Sequence, residues 1–342
     1  MRSPALIYLI TRTHGLSTHL IPQDTIESMV KAPTYESFIE ALLRTDYSEY
    51  ISTMSREELT VNNLERIFAS VYSNRVYYPI RFTGGSIKKL MISYARRIEV
   101  ENIKRILRAK FSGAKITSDM LIPIPREYQE INFAAMAEAP TIEAAVDFVT
   151  VSIYKEAYQY LTVSKEANSV IPLELYVENE YYGNLIKSCK GVPNVKDVLS
   201  AVLAESDVKN IYYVTGLKIL ELTPETLSSA FSTIKAGRIK EFLEEFLRLK
   251  VDMIVDRLEA IYDWVIKNIR DAVMRRDLNA VRVGCSRALK EYYDRIRTAK
   301  PLNLVYVLAY LFSVESEYFN LRAILHGKHL GIKDEEIKKL LV

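Results

Sequence analysis

The sequence predicts an all-α protein made of three similar helical units of about 110 residues each, and three observations carry that reading. Apolar residues recur along the chain at i, i+3 and i+4, the mark of helices with one buried face. Glycine and proline are scarce, 11 of each in 342 residues, which favours long helices over strands joined by tight turns. One signature is also written three times at a spacing near a third of the chain, and repetition at a fixed period marks a repeated structural unit.

The first copy of the signature holds Glu99, Asn102, Ile103, Ile106, Leu107, Lys110 and Gly113. The last holds Glu317, Asn320, Leu321, Ile324, Leu325, Lys328 and Gly331, and matches the first without a gap. Between them Asp207, Asn210, Ile211, Val214 and Lys218 keep the pattern, with Thr215 replacing an apolar residue and Glu221 replacing the glycine. Asn102, Asn210 and Asn320 are 108 and 110 residues apart. Other landmarks keep the period. Ala32-Pro33-Thr34-Tyr35-Glu36 returns as Ala139-Pro140-Thr141-Ile142-Glu143; the helical runs that follow end at Tyr47 and Tyr154, and Tyr262 extends the series. Glu180-Tyr181-Tyr182 returns as Glu291-Tyr292-Tyr293, with a weaker counterpart around Tyr72. The units are therefore expected at 1–125, 126–235 and 236–342.

At about 100° per residue, the acid, the apolar positions one and four after the asparagine and the lysine of each copy fall in one sector of about 60°, so the charges share the apolar stripe. Acid and lysine are about 11 residues, roughly 16 Å, apart along the helix, too far to pair with each other. Burying an unpaired charge costs several kcal/mol. Glu99, Asp207 and Glu317 are thus each expected near a basic or donor group on another helix, in a structural role. A second helix is expected after each copy, at Thr117-Ser118-Asp119, Thr223-Pro224-Glu225 and Asp334-Glu335-Glu336, each a capping residue with an acid in the first turn.

In chain order, residues 1–50 read as helices over Ile26 to Val30 and, past a break at Pro33, over Phe38 to Leu43. Residues 56–111 give two more, separated by a turn at Thr83-Gly84-Gly85-Ser86, which lacks the phosphate-loop pattern. Lys88, Lys89, Arg96 and Arg97 follow on the helix of the first signature and are a candidate partner-facing stripe. In the second unit a helical run goes from Ala139 to Tyr160; a polar segment, Thr162 to Ser169, separates it from a tyrosine-rich helix over Leu173 to Ile186, and Pro193 opens the next helix. Val251 to Ile269 reads as a long amphipathic helix.

Composition narrows the function classes. At 49% hydrophobic and 26% charged, the chain has ample material for cores, and most of its 23 tyrosines suit helix interfaces. A net charge of +3 with both signs interspersed gives no basic footprint for nucleic acid. Cys189 and Cys285 have no paired spacing and read as buried thiols of a reducing compartment. The apolar run Ala5 to Ile10 is too short for a secretory signal. The longest uncharged run, Pro301 to Val314, falls short of the about 20 residues needed to span a bilayer, so membrane contact is expected only through partners. His326 and His329 are three apart on a helix, yet no third ligand of suitable spacing accompanies them, and Arg108 and Phe111 fill the same places in the first copy. No metal site, cofactor site or catalytic motif emerges.

These residues carry a family resemblance. Glu99 to Gly113 with the helix after it, Ala32 to Tyr47 with its Thr45 and Tyr47 ending, and Tyr310 to Leu341 resemble the C subunit of archaeal A-type ATP synthases, related to the d subunit of V-ATPases. The middle copy, with Asp207 and no glycine, departs most. The resemblance implies a funnel of pseudo-threefold symmetry at the cytoplasmic face of the membrane. It also implies two partners, the proteolipid ring of the membrane sector and the central shaft, with torque passed between them and no active site. A helical-repeat scaffold for other soluble proteins is the competing class, distinguished by an open superhelix; an enzyme would need a deep pocket with convergent titratable groups.

Overall fold

The computed structural model describes residues 4–342 and contains only helices as regular elements, with no strand among the described residues. It divides into two compact units, one formed by the chain up to Thr83 together with Lys290–Val342, the other by Gly84–Leu289.

The first unit opens with α1 (Pro4–Ser17), α2 (Gln23–Lys31), α3 (Tyr35–Leu42), α4 (Ser48–Ile51) and α5 (Val61–Tyr77). Pro33 breaks the helical run as expected, and Thr34 restarts it by accepting a hydrogen bond from the Ser37 amide at 3.1 Å, an N-cap. Thr60 caps α5 in the same way.

The second unit follows with α6 (Gly85–Ala95), α7 (Arg97–Ser112), α8 (Phe133–Glu138), α9 (Ile142–Thr150) and α10 (Ala157–Glu166). It continues through α11 (Ile171–Ser188), α12 (Val195–Ile219), α13 (Pro224–Phe231), α14 (Leu243–Arg248), α15 (Val251–Met274) and most of α16 (Leu278–Ala299). The chain then returns to the first unit for α17 (Leu304–His329) and α18 (Asp334–Leu340). There α17 packs on α5, α1, α3, α2 and α18. Its first third, from Leu304 to Phe312, is buried at every position, the pattern of a helix surrounded by other helices rather than lying on a surface. No described helix is long and apolar enough to cross a membrane.

Four local expectations change. The helix expected after the first signature is a single 3-10 turn, Ser118–Met120, because Pro123 and Pro125 remove amide donors and hold the preceding residues extended. Its counterparts after the other two copies are α13 and α18. The basic run and the first signature lie on separate helices, since the chain breaks at Arg96. The polar segment Thr162 to Ser169 is largely helical, as α10 extends to Glu166. Finally, α15 kinks at Tyr262, whose φ −130° and ψ 44° leave the helical region.

Candidate functional site

The three signature stretches lie on α7, α12 and α17, and the carboxylate of each is buried. In the first unit, Glu317 accepts three hydrogen bonds: from the Tyr47 hydroxyl at 2.9 Å, the Arg75 guanidinium at 2.5 Å and the Ile21 amide at 2.6 Å. In the second, Asp207 accepts from the Tyr262 hydroxyl at 2.8 Å and from the amides of Arg238 and Ile239 at 3.1 and 3.3 Å. Burial still raises the Asp207 pKa, against the opposing pull of these donors. Glu99, 2% exposed, faces the Tyr154 hydroxyl, but neither its Oε1 nor that hydroxyl completes a hydrogen bond. The nearby Arg96 is paired with Glu130. With so little compensation, burial pushes the Glu99 carboxyl up to about 7.

A tyrosine therefore faces each acid, and Tyr47, Tyr154 and Tyr262 are the landmarks that share the repeat period. Each sits at a joint between helical segments: Tyr47 between α3 and α4, Tyr154 between α9 and α10, Tyr262 at the kink of α15. Tyr262 lies 55 residues beyond its acid, and Tyr154 stands at the same distance from Glu99. Glu317 takes its tyrosine from 270 residues upstream instead. Sequence reading isolated the acids and the tyrosines separately without joining them; the constant offset was the available signal.

The amides work differently. Asn102 bonds both polar groups of the Ile122 backbone, accepting from its N–H at 2.9 Å and donating to its C=O at 2.7 Å. Asn320 does the same to Val342, at 2.8 and 2.9 Å. Each side chain thus satisfies both main-chain groups of one residue some twenty positions on, fixing the chain's return against the helix. Asn210 instead accepts from the Asn179 amide at 2.9 Å, and its own Nδ2 is buried without a partner among the described residues.

The lysines divide as well. Lys328 bonds Asp334 at 2.7 Å in the first turn of α18. Lys218 donates to the carbonyls of Phe246 and Leu247 at 3.0 and 3.3 Å, capping the end of α14; burial lowers its pKa. Lys110 is half-buried and forms no ion pair among the described residues. All three stretches end in a left-handed residue: Gly113 at φ 72°, Gly331 at φ 66° and, where the glycine is replaced, Glu221 at φ 54°.

A second set of charges escaped the sequence reading. Arg108 grips Glu174 through two bonds of 2.5 and 2.8 Å, Lys104 bonds Glu178 at 2.6 Å, and Arg97 pairs with Glu205. In the first unit Glu65 accepts from Arg322 at 2.8 Å and from His326 at 2.9 Å. Although burial opposes it, these two partners draw Glu65 down to about 2. His329 lies edge-on to Tyr35 instead, so the two histidines of α17 serve different neighbours. No group of three His, Cys, Asp or Glu side chains among the described residues is placed to hold a metal ion. Of the basic run, Lys88 and Lys89 are exposed, Arg96 pairs with Glu130, and Arg97 is only 6% exposed.

The comparisons with known proteins agree with one another. Residues 9–340 match the family described as ATP synthase (C/AC39) subunit. The A-type ATP synthase C subunit of Methanosarcina barkeri is 26% identical, covering 98% of this chain and 92% of its own length. The corresponding C subunits of Methanosarcina mazei and Thermococcus onnurineus are 26% and 24% identical, each over 98% of this chain and over 92% and 89% of their own lengths. With nearly its whole length matched, this chain belongs to the ATP synthase (C/AC39) subunit family.

Proposed function

We propose that this protein is the non-catalytic C subunit of an A-type ATP synthase, seated on the cytoplasmic face of the membrane, where it links the proteolipid ring to the central shaft and transmits torque. The observation that carries the proposal is the family match over residues 9–340, together with relatives named as the C subunit of A-type ATP synthases that align over nearly the whole chain. In this reading the chain is three helical units, 1–125, 126–235 and 236–342, disposed as a funnel with pseudo-threefold symmetry. Three acid–tyrosine contacts at equivalent positions support it. So does the contact between Glu317 and Tyr47, which ties the last signature to the first third of the chain. A torque-bearing body must resist twisting, and buried, hydrogen-bonded charges with few alternative arrangements suit that task. The exposed Lys88 and Lys89 are the part of the basic run open to a partner subunit.

The test is affinity purification of the tagged protein from detergent-solubilised membranes of its source, with the associated subunits identified by mass. Co-purification of proteolipid and shaft subunits is expected; recovery of unrelated soluble proteins instead would favour the scaffold reading. Reversing both lysines, Lys88→Glu with Lys89→Glu, is expected to weaken one of the two associations, and unchanged assembly would remove them from the interface.

A further inference from the structure

In the second unit a cleft of ≈ 40 Å³ opens between α7, α11, α12 and α16, several times the about 10–15 Å³ that one water requires. Among its charged lining residues the cations Lys104, Arg108, Lys209 and Arg282 outnumber the one carboxylate, Glu178. Two of the four cations are already matched, Lys104 by Glu178 at 2.6 Å and Arg108 by the two oxygens of Glu174. Lys209 and Arg282 have no carboxylate within ion-pair distance among the described residues. Both line the cleft, where the Lys209 charge also acts on Glu178 and Cys285 and the Arg282 charge on Tyr212. Tyr212 lines the cleft as well.

We propose that this cleft binds a small tetrahedral oxyanion of the phosphate class between Lys209 and Arg282. A guanidinium offers two parallel donors to such an anion and an ammonium offers a compact charge, the pairing that phosphate groups favour. Val208 and Leu289 close the cleft on its apolar side, and a weakly solvated wall strengthens a charge-assisted bond. The occupant is either free phosphate or the phosphomonoester headgroup of a lipid. The inference rests on unit two alone and stands whatever complex the protein joins.

Thermal unfolding of the full chain in phosphate and in chloride at equal ionic strength, with calorimetric titration of inorganic phosphate, tests the site. Phosphate is expected to raise the midpoint and to bind measurably. The double variant Lys209→Ala with Arg282→Ala, which keeps both partners of each matched pair, is expected to bind about tenfold or more weakly while unfolding cooperatively in chloride. Lys209→Arg alone should retain binding. Flotation with vesicles bearing phosphomonoester lipids, lost in the double variant, identifies the lipid source; binding of free phosphate without flotation identifies the soluble one. Equal effects of phosphate and chloride, or a double variant that responds to phosphate as the native protein does, would overturn the proposal.

Discussion

Glu317 in the first unit and Glu99 in the second hold the same place in the same signature, and their surroundings differ sharply. Glu317 is met by a guanidinium, a hydroxyl and a backbone amide. Glu99 has a tyrosine that does not quite reach it and an arginine engaged elsewhere. The helical pattern decides that an acid is buried at this position. How many partners it finds is decided by what distant segments deliver to it: Ile21, Tyr47 and Arg75 for Glu317, only Tyr154 and Arg96 for Glu99. One repeated motif therefore yields a saturated carboxylate in one unit and a protonation-prone one in the other.

The largest effect is expected from Glu317→Ala, which strands the Arg75 charge, the Tyr47 hydroxyl and the Ile21 amide. Breaking a largely buried pair from one side should cost about 3 kcal/mol or more in urea unfolding, whereas Glu99→Ala, with no completed bond to lose, should cost far less.

Titration sharpens the contrast. Burial lifts Glu99 from 4.5 to about 7, so between those values the folded protein holds a proton that the unfolded chain has released. Its contribution is fully present below about pH 4.5, fades as pH rises through about 7 and is absent above. Glu99→Gln, which never ionises, is expected to exceed the native protein by up to about 3 kcal/mol near pH 8 and to match it near pH 4. Glu65 carries the opposite sign: held at about 2 by His326 and Arg322, it contributes above about pH 4.5 and loses that contribution as pH falls through about 2. Denaturant midpoints across this range, for Glu99→Gln and Glu65→Gln, measure both arms. A pH-independent gap between Glu99→Gln and the native protein would remove the Glu99 titration.

The amides give a smaller comparison. Asn102→Ala and Asn320→Ala each free a backbone N–H and C=O, costing about 2 kcal/mol, while Asn210→Ala loses a single side-chain bond, about 1 kcal/mol or less. Smallest is Glu221→Gly. It relieves a left-handed residue and should gain about 0.5–1 kcal/mol; the ion pair it gives up, Glu221 with Arg276, is exposed on both sides and contributes little.

Much of the fold was legible because local pattern specifies helices. The breaks at Pro33 and at Gly113 followed from residues whose backbone preferences are strong, and Glu221 shows the register kept even where the glycine is gone. The short turn after Gly113 was also written in the chain, by Pro123 and Pro125. The partners of the buried charges were not legible. Tyr47 and Arg75 lie 270 and 242 residues from Glu317, and no local pattern reports which distant segment will arrive. The break at Arg96 and the kink at Tyr262 were hidden for a related reason: both residues carry ordinary helical propensity, and both side chains are engaged by acids on other segments, Glu130 and Asp207.

The last signature is locked to the first third of the chain through a saturated carboxylate. A double-mutant cycle on Tyr47→Phe and Glu317→Gln, read by equilibrium unfolding, tests it most directly. The expected coupling is about 1–2 kcal/mol, well above that of the matching cycle on Tyr154 and Glu99. Additive effects at Tyr47 and Glu317, with a coupling no larger than in the second unit, would contradict it.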